Sequence, residues 1–196
     1  MKKECIYRLG KQEDCTAIAA IYAPYVTKTV VSFEERAPTS LEMWSRMQKA
    51  FEKHVWLVCE LNGDVVGFAY AGHHRERKAY QWLAEVSIYV ADGYHKKGIA
   101  TELYARLHCL LKEQGFVQTY AGMTLPNPAS QGFHEYFGYE KFAVYKDSGY
   151  KFDNWHSTGW WRRALRKLPE TPEELKHISA LDKAWLEKTL KDGPER

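Results

Sequence analysis

Residues 89–101 constrain the fold of this chain more than any other segment of the sequence. An apolar strand pattern ends there in a polar turn, and Gly98 then opens a helical pattern that Gly115 ends. A strand that leads through a tight turn into a long helix is a unit of mixed α/β domains. The 196 residues of the chain are enough for one such domain with a substantial buried core.

The same turn carries the features of a phosphate-binding loop. The first turn of a helix has unpaired N–H groups and a partial positive charge. Gly98 and Ala100 leave room for a pyrophosphate at the backbone, and Lys96 and Lys97 add positive charge. The loop lacks both the Gly-x-Gly-x-x-Gly pattern of dinucleotide sites and the Lys-Ser/Thr ending of nucleoside triphosphate sites. It therefore predicts a phosphate site of another kind, although an ordinary connection between a strand and a helix explains the pattern equally well.

The rest of the chain alternates between strand and helix patterns. Ser40 is predicted to cap the second helix, residues 27–33 to form a loop, and residues 62–64 (Asn-Gly-Asp) to form the turn of a hairpin. Predicted strands cover residues 4–9, 54–61, 65–71, 81–90, 116–125, 139–146 and 154–165, and predicted helices cover residues 12–26, 41–53, 98–114 and 127–137.

The chain changes character after Leu168, where two prolines interrupt the pattern. Thr171 is predicted to cap a charged amphipathic helix, so that residues 168–196 form a helical extension of a domain that spans residues 1–167. The apolar stripe of this helix consists of Leu175, Ile178, Leu181, Trp185 and Leu190. Because such a stripe is costly to leave in water, we expect it to pack on the domain or on a second subunit.

Composition and cysteine usage argue against several classes of protein. The formal net charge of +3 and the dispersed lysines and arginines argue against nucleic-acid binding. The four cysteines lack the spacing of metal ligands, Cys109 is expected in the core, and no histidine or carboxylate pattern supports a metal site. No apolar run reaches the roughly 18 residues of a membrane span, and the N-terminus does not resemble a signal peptide. We therefore expect a cytoplasmic protein with reduced thiols.

A second motif lies downstream, at residues 127–139. Asn127 and Ser130 stand at the beginning of a short predicted helix, and Gly138 ends it before the next strand. Taken alone, this pattern is typical of a capped helix without a chemical role.

Together the two motifs resemble signatures of the GNAT family of N-acetyltransferases. The loop at residues 95–100 reads His-x-x-Gly-x-Ala, where the family has Gln/Arg-x-x-Gly-x-Gly/Ala. The motif at residues 127–139 reads Asn-x-x-Ser and ends in Gly-Tyr, where the family has Asn-x-x-Ala/Ser and Gly-Phe/Tyr. The resemblance covers about residues 6–166, and it departs from the family at His95, which can still donate a hydrogen bond.

More specific stretches look like the phosphinothricin N-acetyltransferase branch of that family. They are Val30 to Phe33, Trp56 to Val58, Leu61 to Gly67, Ala69 to Gly72, Leu125 to Asn127 and residues 149–161. The branch implies a homodimer that acetylates the amino group of glutamate-like analogues such as phosphinothricin or methionine sulfoximine.

The resemblance implies an α/β fold of the GNAT type, with a central, mixed, mostly antiparallel twisted sheet flanked by helices. The sheet is expected to splay beside its Ile88–Val90 strand, where the pantetheine arm of acetyl-coenzyme A, the acetyl donor, would bind. The residues implied to bind this coenzyme are Ile88, Tyr89, Val90, His95, Lys96, Lys97, Gly98, Ile99, Ala100, Thr101, Asn127 and Ser130.

The resemblance also implies that the acceptor amine attacks the thioester directly. An alkyl amine has a pKa of about 10.4 and is mostly protonated at neutral pH, so a base must take its proton. Glu85 matches the glutamate of the branch and is the candidate base; otherwise it is a solvated carboxylate at a strand edge.

His134 stands seven residues after Asn127, where many members carry a proton-donating tyrosine, and a histidine can donate a proton at neutral pH. A histidine on a short helix is equally often only packed.

An amino-acid acceptor needs a partner for its carboxylate. Arg75 follows the strand that ends at Gly72 and could pair with a carboxylate in a bidentate manner, and Arg77 is a weaker candidate. Phe33 and Tyr80 are expected to line the acceptor pocket, although aromatic residues more often belong to a core.

Two other interpretations of the sequence stay open. In the first, the acceptor is a different amine, such as a polyamine, an antibiotic or a protein N-terminus. In the second, the chain is a non-catalytic sensor of acyl-coenzyme A, which would need neither Glu85 nor His134. Binding to nucleic acid or to a membrane is not expected.

Overall fold

The computed structural model describes residues 5–194, and Glu4, with which the first strand was predicted to begin, lies outside them. Seven strands are present: β1 Cys5–Leu9, β2 Trp56–Leu61, β3 Asp64–His73, β4 Leu83–Val90, β5 Gln118–Leu125, β6 Glu140–Lys151 and β7 Asn154–Ala164. The α-helices are α1 Cys15–Thr27, α2 Ser40–Phe51, α3 Ile99–Gln114, α4 Pro128–Tyr136 and α5 Lys183–Asp192. Short 3₁₀ turns cover Gln12–Asp14, Lys78–Tyr80 and Ile178–Ala180.

All seven strands form one sheet in the order β1-β2-β3-β4-β5-β7-β6. Every neighbouring pair is antiparallel except β4 and β5, which run parallel. This parallel pair is short, because only Leu83–Glu85 pair with Gln118–Tyr120 before the two strands part. The predicted mixed, mostly antiparallel sheet and its splay beside Ile88–Val90 are both confirmed.

Side chains that alternate along the strands give the sheet two different faces. One face packs on α3, whose Leu103, Leu107 and Leu110 are fully buried. The opposite face packs on α1 and α2 and is aromatic, with Phe68 and Tyr89 facing these two helices. The core between the sheet and α3 also holds aromatic side chains, among them Tyr104, Phe116 and Trp161, so rings are buried on both faces of the sheet.

Several predicted boundaries need correction. The second helix is capped by Thr39 rather than Ser40: the Thr39 hydroxyl accepts from the Glu42 N–H at 3.2 Å, and the Glu42 carboxylate accepts from the Thr39 N–H at 2.7 Å. This reciprocal capping box needs a glutamate three residues after the cap, and only Thr39 has one. The sixth strand runs past residue 146 to Lys151, because the left-handed pair Phe152 and Asp153 turns the hairpin there.

Two predictions about helical residues are also wrong. Thr171 begins no helix: the segment after Leu168 stays irregular, since its two prolines oppose a helix. Asp182 instead caps α5, with its carboxylate 2.8 Å from the Trp185 N–H. Cys109 is only partly buried. Its side chain leaves α3 at an angle of roughly 100° about the helix axis from the face that packs on the sheet.

The C-terminal segment packs on the same chain. Ile178 and Leu181 are buried in the core cluster that α3 forms with the sheet. Arg106 of α3 donates to the carbonyls of Leu190 and Lys191 at 2.9 and 3.2 Å, which satisfies the free C-terminal end of α5. The apolar stripe was predicted to pack either on the domain or on a second subunit, and the structure shows it packed on the domain.

Candidate active site

A cavity of about 500 Å³ opens where β4 and β5 part. It is bordered by the exposed flank of β4, the first turn of α3 and the first turn of α4. Eleven of the twelve residues predicted to bind the coenzyme line it, namely Ile88, Tyr89, Val90, His95, Lys96, Gly98, Ile99, Ala100, Thr101, Asn127 and Ser130. The two sequence motifs, thirty residues apart, therefore meet across one gap in the sheet.

The loop between β4 and α3 turns its backbone in a way that suits an anion. Gly93, Lys96 and Gly98 all have positive φ, at 81°, 60° and 82°. Successive residues of opposite hand arrange their N–H groups as a concave nest. Gly98 is the N-cap of α3 and offers no side-chain cap, so the first N–H groups of that helix keep their capacity to bind a phosphate.

The side chains of His95 and Tyr25 both contact the backbone carbonyl of Val90, the last residue of β4. The Tyr25 hydroxyl donates to the Val90 carbonyl at 2.7 Å, and His95 Nε2 lies 3.0 Å from the same oxygen. Lys97, which is not among the lining residues of the cavity, instead lies with its ammonium 5.0 Å from the centre of the Tyr94 ring. His95 thus holds the loop to the strand, and Tyr25 is a site residue that the sequence analysis missed.

Asn127 and Ser130 shape the opposite wall. The Asn127 side chain caps α4 by accepting from the Ser130 N–H at 3.1 Å, and Pro128 occupies the first helical position. The sequence allowed two interpretations of this motif, a helix cap or a binding site. Asn127 and Ser130 can serve as both, because they form the cap of α4 and also line the cavity.

Glu85 lies at the last position where β4 still pairs with β5, at the closed end of the gap. Its side chain is on the α1–α2 face and is partly exposed. Burial raises the pKa of the Glu85 carboxyl, and the nearby charge of Arg75 partly opposes this shift. Its nearest ionisable neighbour, His74 Nδ1, is 3.6 Å from Oε2, too far for a good hydrogen bond.

His74 is a second residue that the sequence analysis missed. Its ring stacks on Tyr120 with 4.0 Å between centroids, and Tyr120 pairs with Glu85 across the strands. Burial and the charge of Arg75 lower the pKa of His74, so this ring is neutral at neutral pH. Only the register of β3, β4 and β5 could have placed it beside Glu85.

His134 lies behind the cavity wall rather than in it. The side chain is 5% exposed, and burial lowers its pKa. Nδ1 is 2.8 Å from the Ser130 carbonyl and 3.4 Å from the Ser130 hydroxyl, while Nε2 is 2.9 Å from the Tyr104 hydroxyl. A carbonyl can only accept, so Nδ1 carries the proton and Nε2 accepts from Tyr104.

A buried polar cluster continues behind Tyr104. The Tyr139 hydroxyl lies 2.7 Å from both His108 Nε2 and the Thr119 hydroxyl, and Arg163 reaches His108 Nδ1 at 3.1 Å. Burial and the Arg163 charge lower the pKa of His108, which therefore stays neutral. The cluster stabilises one arrangement of the side chains that support His134.

The residues predicted to bind the acceptor are spread more widely. Arg75 is exposed but close enough to Glu85 to influence its pKa. Phe33 lies against the β6–β7 hairpin, with its ring 6.3 Å from that of His156. Tyr80 is exposed in the 3₁₀ turn before β4.

Neither a metal cluster nor a membrane-spanning helix occurs between residues 5 and 194. No group of three or more potential ligands there could hold a metal ion, and no helix there is both long and apolar enough to cross a bilayer.

Comparison with known proteins agrees with this geometry. The sequence matches the family described as Acetyltransferase (GNAT) domain over residues 8–160. It is 32% identical over 168 residues to the phosphinothricin N-acetyltransferase of Streptomyces viridochromogenes, covering 86% of this chain and 91% of the relative. It is 29% identical over 150 residues to the L-methionine sulfoximine/L-methionine sulfone acetyltransferase of Salmonella typhimurium, covering 76% and 87% of the two chains.

The fold is also similar to solved structures. A GNAT superfamily phosphinothricin acetyltransferase from Sinorhizobium meliloti, solved in complex with acetyl-coenzyme A, superimposes with a TM-score of 0.79. The two proteins are 30% identical, and the match covers 86% of this chain and 95% of the other.

Fold and cavity thus define an acyltransferase built around a split sheet. The chain belongs to the GNAT family of acetyltransferases and is an enzyme.

Proposed function

We propose that this enzyme transfers the acetyl group of acetyl-coenzyme A to the amino group of a small amino-acid-like acceptor of the phosphinothricin or methionine sulfoximine type. The observation that supports it most is the gap between β4 and β5, with an uncapped helix at one end and Glu85 at the other. The relatives named for these two acceptors support the choice of substrate class.

The residues of the cavity fit the coenzyme. The first N–H groups of α3 and the nest before them would hold the pyrophosphate, and Lys96 would add positive charge. A cavity of about 500 Å³ between strands that have parted suits an extended arm better than a compact ligand. When bound, the thioester supplies the acetyl group.

Glu85 would act as the base in this proposal. The amino group of the acceptor must lose a proton to attack, and a carboxylate with a raised pKa binds that proton more readily than an ordinary glutamate. Arg75, on the loop that follows β3, would pair with the acceptor carboxylate while it tunes Glu85.

His134 would act through Ser130 on the leaving-group side. Ser130 lines the cavity, and its hydroxyl and carbonyl both lie within reach of His134 Nδ1. A neutral imidazole that lost its Nδ1 proton would become a buried anion, so His134 would orient the Ser130 hydroxyl without releasing that proton.

A homodimer is part of the proposal. The β6–β7 hairpin at the end of the sheet carries exposed aromatic side chains, among them Phe142, Tyr145, Tyr150, Phe152 and Trp155. Apolar patches at an edge strand favour association with a second chain. Light scattering should give the mass of a dimer for the wild type and of a monomer for Trp155→Glu; a monomeric wild type would contradict this part.

The acceptor is tested by following the release of the coenzyme thiol. The panel consists of phosphinothricin, methionine sulfoximine, spermidine and a short peptide, each with acetyl-coenzyme A. We expect turnover of the first two. Turnover of spermidine or the peptide alone would confirm an N-acetyltransferase and contradict the proposed acceptor class. If no amine is acetylated but acetyl-coenzyme A still raises Tm, the chain is better explained as a non-catalytic sensor of acyl-coenzyme A.

A further inference from the structure

Lys151 is a buried lysine at the end of β6, where it is 7% exposed. Its ammonium donates to the backbone carbonyls of Val26, Ser32 and Glu34 at 2.5, 2.6 and 2.9 Å. An ammonium has three N–H donors, so the three carbonyls use all of its hydrogen-bonding capacity. Burying a charge is costly, and these charge-assisted hydrogen bonds offset that cost. The three contacts make Lys151 the centre of a polar cluster rather than a surface lysine.

The acceptors of Lys151 lie at the connection between the first two helices. Ser32 and Glu34 belong to residues 28–39, which we name the α1–α2 loop. The Val26 carbonyl belongs to the last turn of α1, where helical carbonyls lack partners within the helix. A positive charge there also complements the partial negative charge at the C-terminal end of a helix. Lys151 thus joins the end of α1 and the α1–α2 loop to the β6–β7 hairpin.

Two of these acceptors are each one residue away from a side chain that lines the cavity between β4 and β5, which we name the coenzyme cavity. Val26 follows Tyr25, which lines this cavity. Ser32 follows Val31, which also lines it. Consecutive Cα atoms are about 3.8 Å apart, so a contact that fixes one residue also restricts the position of its neighbour. Lys151 therefore supports two parts of the cavity wall without lining the cavity itself.

The α1–α2 loop makes a second close contact with β6. The ring of Phe33 lies on the backbone at Gly149, where a Cβ would be only 2.6 Å from Phe33 Cζ. Gly149 therefore permits an approach that a side chain at this position would block. On the other side of the loop, Arg46 of α2 binds the Glu34 carboxylate through two contacts of 2.8 Å. The loop is thus held from both sides in one conformation.

The α1–α2 loop also lies where the two ligands of the proposed reaction would meet. The thioester would reach this place from the coenzyme cavity, which Val31 of the loop borders. The acceptor would lose its proton to Glu85, whose side chain is on the α1–α2 face of the sheet. Because the loop connects the two helices of that face, a displacement of the loop would alter the binding of both ligands.

We propose that Lys151 is a positioning residue for the acetyl transfer, and that its ammonium keeps the α1–α2 loop in the conformation that binds acetyl-coenzyme A and the acceptor. This inference rests on the proposed function. Lys151 makes and breaks no bond; it acts on the fraction of the enzyme in which the loop is ordered. When only part of an enzyme is competent to bind, the apparent affinity falls by that fraction. Saturating ligands select the ordered loop, so the loss of Lys151 should change KM more than kcat.

Lys151→Met tests the charge, because it keeps an unbranched side chain and removes the ammonium. We expect KM for acetyl-coenzyme A and KM for the acceptor each to rise roughly tenfold, since charge-assisted hydrogen bonds to the loop are lost, while kcat stays within about threefold of wild type. Lys146→Met, at an exposed position of the same strand, is the matched control and should leave both KM values unchanged. A lower Tm with both KM values unchanged in Lys151→Met would show that Lys151 only stabilises the fold, and would overturn the proposal.

Gly149→Ala tests the loop without removing the charge. The added methyl group would displace the Phe33 ring from β6, and we expect KM for acetyl-coenzyme A to rise at least roughly threefold. That rise would report on the loop, because Phe33 itself does not line the coenzyme cavity. Gly132→Ala, at an exposed position of α4 where a Cβ meets no atom within 4 Å, is the control. If Lys151→Met fails to fold, an unchanged KM for acetyl-coenzyme A in Gly149→Ala overturns the proposal, and a raised one supports it.

Hydrogen exchange and calorimetry examine the loop without turnover. In Lys151→Met, peptides from residues 28–39 should exchange faster than in the wild type, while peptides from α3 exchange at the same rate. Coenzyme A should bind this variant roughly tenfold more weakly. If no amine is acetylated but both differences are found, the proposed function fails and the role of Lys151 in coenzyme binding is supported. If acceptors are acetylated but neither difference is found, the role of Lys151 fails alone.

Discussion

The pKa values of Glu85 and His134 are both shifted toward the neutral form, yet the surroundings of the two side chains differ in one decisive respect. Among residues 5–194 no group is hydrogen-bonded to the Glu85 carboxylate, whose contact to His74 is 3.6 Å, and burial raises the pKa of this carboxyl. His134 has both ring nitrogens in hydrogen bonds, to Ser130 and Tyr104, and burial lowers its pKa. Burial favours the neutral form of each group.

The difference indicates different roles for the two groups. A carboxylate without a partner gains most from taking up a proton, which suits a base. A histidine whose two nitrogens are already engaged is held in one tautomer and one orientation, which suits a positioning residue. Four variants test this contrast, from the largest expected effect to the smallest.

Glu85→Gln should have the largest effect. It removes the proposed base and keeps the size of the side chain, so we expect kcat to fall by about 10²–10⁴ at neutral pH. Release of the coenzyme thiol measures it. Glu174→Gln, at an exposed carboxylate paired with Lys78, is the control and should keep wild-type kcat. A Glu85→Gln enzyme within a few-fold of wild type would show that another group takes the proton.

Tyr104→Phe should be next. It removes the donor to His134 Nε2 and leaves a buried nitrogen unpaired, which costs about 1–3 kcal/mol of the free energy of unfolding. We expect a lower Tm together with a fall in kcat of up to roughly tenfold, because the ring loses its fixed tautomer. Tyr136→Phe, on the exposed side of α4, controls for the loss of a hydroxyl. A lower Tm with unchanged kcat would make the cluster purely structural.

Arg75→Met should raise KM for the acceptor, because it removes the proposed partner of the acceptor carboxylate, and should also shift the pH profile of kcat/KM. The charge of Arg75 lowers the pKa of Glu85, so its removal raises that pKa further. Because the base must be ionised, the acid limb of kcat/KM should move to higher pH, by less than about one unit since Arg75 is exposed. Arg77→Met, two residues along the loop, should leave the limb in place. A shift to lower pH would contradict the assignment of that limb to Glu85.

Ser130→Ala should have the smallest effect. The backbone carbonyl of residue 130 still accepts from His134 at 2.8 Å, and only the longer hydroxyl contact of 3.4 Å is lost. If the Ser130 hydroxyl interacts with the leaving coenzyme A thiolate, we expect kcat to fall about two- to fivefold. This loss is smaller than the loss expected when a general acid is removed. An unchanged kcat would show that His134 does not act through this hydroxyl.

Much of the fold followed from local patterns that the structure confirms. The hairpin turn at residues 62–64, the helix predicted over residues 98–114 and the loop predicted over residues 27–33, which the structure extends over residues 28–39, needed only turn chemistry, helix stops and periodicity. The predicted start of the last helix was wrong because two prolines and contacts with the body of the domain hold residues 168–177 in an irregular path. Trp82 Nε1, for example, donates to the Glu173 carbonyl at 2.7 Å. Such contacts join residues far apart in the sequence.

The candidate site divides in the same way. The sequence alone determined that a glycine-led helix start follows a strand, because left-handed backbone at Gly98 and an uncapped first turn are local properties. Tertiary structure decided where β4 and β5 part, that His74 lies beside Glu85, and that His134 is buried. Those features depend on strand register and on helices packed across the sheet, which join residues by distance in space rather than by spacing along the chain.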